Sequence, residues 1–235
     1  TSQTNLANNF SQFISEFQTK GFDFSMAVTH TGAYYDYYYG TQTRSRFCDG
    51  VVVGATQVCD GSTAAYSGVN IMNNATAALT TVFVKNAKVG TLGTGDERAF
   101  SSFQKALENP TNAGFRRPGA FLAIIIVSDE DDTSHMDWGS GAASYFYADV
   151  GHASIYHISY FQNFLNTHTG STALTAPDNY AVHTISVLDT ACRTTTGTYL
   201  SIRYPEISTA TGGIAASICA PMSGVLTELS QKTVE

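Results

Sequence analysis

Leu6, Phe10, Phe13, Ile14 and Phe17 recur at steps of three and four near the start of the chain. That spacing gathers them on one stripe of an amphipathic helix, and Lys20-Gly21 supplies the stop signal. Residues 22–28 alternate in part and are β-prone, which predicts a strand. Residues 30–60 read as loop, apart from a short strand at Val51-Val52-Val53. Residues 75–87 predict a helix with Ala78, Leu79, Val82 and Phe83 on one side. The glycine-punctuated stretch 89–97 opens another helix, which carries Phe100, Phe103, Ala106 and Leu107 and stops at Asn109-Pro110.

The strongest strand signal is residues 121–127, apolar at every position, as in a strand covered on both faces of a parallel sheet. It is expected to be the most buried strand of the chain. Helices are predicted at 154–164, 204–211 and 224–232, and strands at 180–187 and 213–218. Helices alternating with apolar strands predict an α/β fold, a doubly wound, mostly parallel sheet with helices on both faces. No repeat, linker or compositional break interrupts it, so a single domain over 1–235 is expected.

Composition narrows the function. The chain has 235 residues, 43% hydrophobic and only 13% charged, with a net charge of −7. It contains no Lys/Arg run or basic stripe, which argues against nucleic acid as a partner. No apolar stretch approaches the ~20 residues of a membrane span. Nineteen acidic residues against twelve basic ones suit cations better than anions.

The carboxyl end of a buried parallel strand is where ligands bind in open α/β sheets. Here residues 121–127 run straight into Ser128, Asp129, Glu130, Asp131 and Asp132. Four adjacent carboxylates raise one another's pKa unless something compensates them. A hard divalent cation does so by accepting oxygen ligands. Thr94, in the loop before a helix, offers a neutral hydroxyl ligand. The plainer alternative is that the acidic run caps a helix and solvates a loop.

Signals for catalysis are weaker. The six histidines form no HExxH, and neither a GxSxG elbow nor a phosphate-binding glycine loop occurs. A binding protein rather than an enzyme is expected. A carboxylate pair for metal-dependent or glycoside hydrolysis remains the alternative, and a purely structural surface protein is a third. Tyr34, Tyr35, Tyr37, Tyr38 and Tyr39 are five tyrosines in six positions. So dense a run suits an exposed recognition loop, where rigid aromatic area makes contact. The alternative is an edge strand with alternate rings packed inward.

Four cysteines form an even set without a CxxC pair, which makes a zinc ribbon improbable. Two disulfides are expected, Cys48 with Cys59 and Cys192 with Cys219, in an oxidising compartment. Four buried free thiols are the alternative. Thr1-Ser2-Gln3-Thr4 does not open a signal peptide, so the sequence reads as a processed product or a fragment.

At Ile126-Val127-Ser128-Asp129 the chain resembles a von Willebrand factor A-type domain, of the bacterial cell-surface and lipoprotein branch whose strand ends in VSDEDD. Asn5 to Phe10, Gly93-Thr94-Gly95-Asp96-Glu97 and the stretch 204–219 with Ala210-Thr211-Gly212-Gly213 fit the same pattern in the same order. The resemblance implies a Rossmann-like sheet with a metal-ion-dependent adhesion site holding Mg²⁺, or Mn²⁺ or Ca²⁺. It implies Thr94 and Asp129 as metal ligands, with Ser128, Asp96, Glu97, Asp131 and Asp132 as auxiliary groups. It also implies a protein or cell-surface ligand with an exposed Asp or Glu that completes the metal shell. The location implied is extracytoplasmic, with a lipid anchor upstream as one form. The family's DxSxS loop is missing from these residues. Asp60-Gly61-Ser62-Thr63-Ala64 is the nearest stretch and lacks the second serine, so the first strand and its metal loop are expected upstream of Thr1.

Overall fold

The computed structural model describes residues 6, 9–10, 13–14, 17–49, 67–89, 96–136, 154–172 and 177–233. They fall into two compact units, one running to Arg116 and the other from Arg117 onward.

In the first unit, the described residues between 6 and 19 are helical (α1). Their stripe of Phe10, Phe13, Ile14 and Phe17 is buried, as the spacing predicts. The helix ends where Gly21 takes a positive φ of 67°. Gly21 N–H donates to the Gln18 carbonyl and Phe22 N–H to the Phe17 carbonyl, both at 3.2 Å. The Phe22 ring meets the Phe17 ring edge-on at 6.4 Å. These are the two hydrogen bonds and the apolar contact of a Schellman stop.

The strand expected at 22–28 is reduced to β1 (Ser25–Met26), paired antiparallel with β2 (Met72–Asn73). The Asn74 amide takes over beyond it. Its Oδ1 accepts from Phe24 N–H at 3.1 Å, and its Nδ2 donates to the Phe22 carbonyl at 2.6 Å. A side chain thus satisfies backbone groups that a longer strand would have used. Helix α2 (Tyr35–Tyr39) is followed by α3 (Leu79–Ala87) and α4 (Ala99–Glu108). Helix α4 buries Phe100, Phe103 and Ala106 and stops before Pro110, where Asn109 opens a single 3₁₀ turn, Pro110–Asn112.

The second unit is built on a parallel sheet of β3 (Leu122–Val127), β4 (Tyr180–Ser186) and β5 (Ala215–Ser217), in that spatial order. Leu122 pairs with Tyr180 and Val127 with Ile185, while Thr184 pairs with Ala215. Helices α5 (Ile158–Thr169), α6 (Thr190–Thr196), α7 (Arg203–Ala210) and α8 (Met222–Thr233) accompany it. The fold is mixed α/β with a parallel sheet and flanking helices, the class the alternating pattern predicts.

The most buried strand is β4, not β3. All seven β4 positions are buried, whereas in β3 only Leu122 and Ile126 are. The reason is position: β4 has a strand on either side, while β3 pairs along one edge among the described residues. Polar β4 residues are tolerated because most of their groups are engaged. Thr184 Oγ1 lies 2.9 Å from Ser208 Oγ, and His183 Nδ1 accepts from Ile214 N–H at 3.1 Å. Gly213 is needed where the chain passes over this strand, since a Cβ there would stand 2.1 Å from the Val182 carbonyl oxygen.

Helix α5 starts four residues later than predicted. Residues 134–136 and 154–156 pair instead, through Met136 N–H to the Ser154 carbonyl and Tyr156 N–H to the Ser134 carbonyl. The His157 ring then caps the helix, with Nδ1 accepting from Ser159 N–H at 3.3 Å. Helix α6 is not evident in its Thr-rich sequence. Asp189 nucleates it by accepting from Cys192 N–H at 2.8 Å. The predicted Cys192–Cys219 disulfide is present and ties α6 to the end of β5. Cys48 also carries a disulfide bond, and Cys59, its predicted partner, lies outside the described residues.

Candidate functional site

Strand β3 hands the chain to the acidic run through Ser128. Its N–H continues the ladder by donating to the Ile185 carbonyl at 3.1 Å. Its Oγ accepts from Glu130 N–H at 3.2 Å, which turns the chain away from the sheet. The four carboxylates that follow meet different fates.

Asp131 and Asp132 are buried and compensated. Asp131 accepts from Ile202 N–H at 2.7 Å and from Arg203 N–H at 3.1 and 3.2 Å, so it caps the N-terminus of α7. Burial pushes its carboxyl up, and these backbone bonds oppose the shift without cancelling it. Asp132 forms a buried ion pair with Arg203 at 3.2 Å. It also accepts from Ser134 N–H and Ser134 Oγ, both at 3.0 Å. The same guanidinium donates to the Tyr156 carbonyl at 2.8 Å.

Asp129 and Glu130 differ. Asp129 is exposed and Glu130 half-buried. The Glu130 carboxyl is raised, first by burial and then by the neighbouring charge of Asp129. Among the described residues, its buried Oε2 has no hydrogen-bond partner. The run is therefore split into a structural half, held by Arg203 and the N-terminus of α7, and a half that has no such partners among the described residues. Glu130 was not singled out from the sequence. Its only signal there was membership of the run, which does not tell one carboxylate from the next.

Thr94, the other expected metal ligand, lies outside the described residues. In the first unit, Asp96 is buried and ion-paired with Arg98, whose Nε donates to it at 2.6 Å. Tyr34 OH donates to the same carboxylate at 3.3 Å, and the Arg98 guanidinium stacks on the Tyr34 ring at 4.3 Å. Glu97 is half-buried beside it. Among the described residues, no three His, Cys, Asp or Glu side chains converge as a metal cage would require.

The tyrosine run is a helix, α2, neither the loop nor the edge strand expected. Helical spacing of three and four stacks Tyr35 on Tyr39 at 5.8 Å, which a strand would not do. Tyr34 is buried, whereas Tyr38 and Tyr39 are 43% and 55% exposed. Arg44 lies 4.9 Å from the Tyr35 ring and 5.0 Å from the Tyr39 ring. Lys105 sits over Tyr37 at 4.0 Å, and Tyr37 OH donates to Glu108 at 2.7 Å. One carboxylate anchors the returning chain: Asp36 accepts from Thr41 Oγ1, Arg44 N–H, Ser45 N–H and Ser45 Oγ. Burial pushes the Asp36 carboxyl up, but these bonds together hold it below its ordinary value.

Comparison of the chain with protein-family models, with curated proteins and with solved structures finds no match.

Proposed function

We propose that this chain is a binding module rather than an enzyme. It holds Mg²⁺, or a similar hard divalent ion, at the carboxyl end of β3. Through that ion it captures an exposed Asp or Glu of a protein or cell-surface partner. The observation that carries this reading is Glu130: its buried Oε2 has no hydrogen-bond partner among the described residues, and its carboxyl is raised by burial and by the neighbouring Asp129 charge. A divalent cation supplies what the pair lacks, because hard oxygen ligands satisfy it and its charge offsets theirs. Ser128 supplies a neutral oxygen in this scheme. The ordered tyrosines of α2 are a recognition surface for the partner.

The working compartment proposed is extracytoplasmic, supported by the Cys192–Cys219 disulfide. Among the described residues no helix is long and apolar enough to cross a membrane.

Partner binding should require the cation. Capture of a carboxylate-bearing ligand in Mg²⁺, lost in EDTA and in Asp129→Ala, supports the proposal. Capture that is indifferent to EDTA contradicts it.

A further inference from the structure

His30 lies at the base of the segment that folds back over α2, and it is 7% exposed. Its Nδ1 accepts from Gly32 N–H at 3.1 Å, and its Nε2 donates to the Arg44 carbonyl at 3.0 Å. The two bonds define one protonation state, a neutral ring with its proton on Nε2. A second proton would sit on Nδ1 and point at the Gly32 N–H, replacing a hydrogen bond with two opposed donors.

Arg44 is the residue whose guanidinium covers Tyr35 and Tyr39. The ring of His30 therefore holds the backbone of the cation that masks the tyrosine helix. Other anchors of the segment include Asp36, Asn109, Asn112 and the Arg46–Asp49 ion pair. Asn109 Nδ2 donates to the Gln42 carbonyl and Ser45 Oγ, and Asn112 Nδ2 to the Ser45 carbonyl, all at 2.8 Å. The asparagines do not titrate, and the Asp36 carboxyl is held below its ordinary value, so it stays ionised in mild acid. Two charged groups bear on the ring: Arg44 disfavours its protonation and Asp36 favours it.

We infer that His30 is an acid-operated latch, whose protonation frees the segment 41–46 and lifts Arg44 from the faces of Tyr35 and Tyr39. The latch regulates the tyrosine surface and rests on the reading of that surface as a recognition element only for its purpose. The opening itself is independent of any ligand.

Hydrogen exchange of the whole chain, corrected for the intrinsic pH dependence of exchange, tests the opening. Between pH 6 and 4.5, opening of the 41–46 amides should rise roughly tenfold per pH unit, the signature of one proton taken up. The α4 amides, which open only with the first unit as a whole, should stay better protected than 41–46 at every pH in this range. His30→Gln, which has an amide donor and acceptor but does not titrate, should abolish the rise. Equal protection of α4 and 41–46 throughout the range, or no rise in 41–46, overturns the latch. So does a rise of undiminished size in His30→Gln. If that variant does not fold, NMR of the wild-type ring decides: its titration midpoint must coincide with the opening of 41–46, and a mismatch rejects the proposal. Loss of ligand capture with the opening intact would instead count against the recognition role of α2.

Discussion

His30 and His183 share one arrangement: each offers Nδ1 to a backbone N–H and is buried, so each is neutral in the folded chain. Burial is the largest cause in both, and it brings each ring from 6.5 down to about 4. The unfolded chain therefore binds more protons between those values. Stability is full above pH 6.5 and falls as the pH drops toward 4, by up to about 3 kcal/mol per ring. Urea unfolding at pH 7, 5.5 and 4.5 should show the loss, and His183→Gln should flatten part of it. A pH-independent midpoint would contradict the neutral assignment. The raised carboxyls of Glu130 and Asp131 act in the opposite sense, since they bind protons more readily folded than unfolded. Arg203→Ala should cost about 3–5 kcal/mol, because it leaves Asp132 buried and without its ion partner. Asp131→Ala should cost about 1–2 kcal/mol, the price of a lost helix cap. Chemical denaturation checks both, and equal, small effects would contradict the division of the acidic run. That division could not be read from the sequence, where Asp129 to Asp132 look alike. Arg203, which tells them apart, lies seventy-one residues beyond Asp132.

At the scale of elements, the legible parts were those whose apolar spacing matches their geometry. The α1 stripe, the face of α4 and strand β3 all follow from period and run length. The failures have local physical causes. The tyrosine run was too dense for a buried strand. Its helix is closed by contacts that only the folded chain brings together, Asp36 with Ser45 and Arg44 with two rings. Helix α6 hides in a Thr-rich stretch of poor helix propensity and depends on the Asp189 cap. Strand β4 reads as half polar and is nevertheless the sheet's centre, because neighbouring elements engage His183 and Thr184. In the sequence, Gly213 opens a predicted strand and closes the stretch Ala210-Thr211-Gly212-Gly213, with no sign of the close approach. Gly213→Ala should destabilise the second unit by about 2 kcal/mol or more, since its Cβ would meet the Val182 backbone and one of them must move. Thermal unfolding checks this, and an unchanged midpoint would mean that the chain passes β4 less closely than described.

At the scale of the molecule, fold class and the Cys192–Cys219 pairing were legible from the alternation of elements and the even cysteine set. The disulfide closes a separation of 27 residues. Replacing both cysteines by serine should lower stability by about 3–4 kcal/mol, by the loop entropy returned to the unfolded chain. A double variant as stable as the native chain would contradict a stabilising role for the disulfide. The site was legible only in outline. A carboxylate cluster at the end of an apolar parallel strand could be read, but which carboxylates lacked a counter-charge could not. Calorimetric titration of the chain with Mg²⁺ and Mn²⁺, beside Asp129→Ala and Glu130→Gln, tests the central claim. The account predicts saturable binding of one ion, lost with Asp129→Ala and weakened with Glu130→Gln. No binding by the native chain, or binding that survives both substitutions, would contradict it.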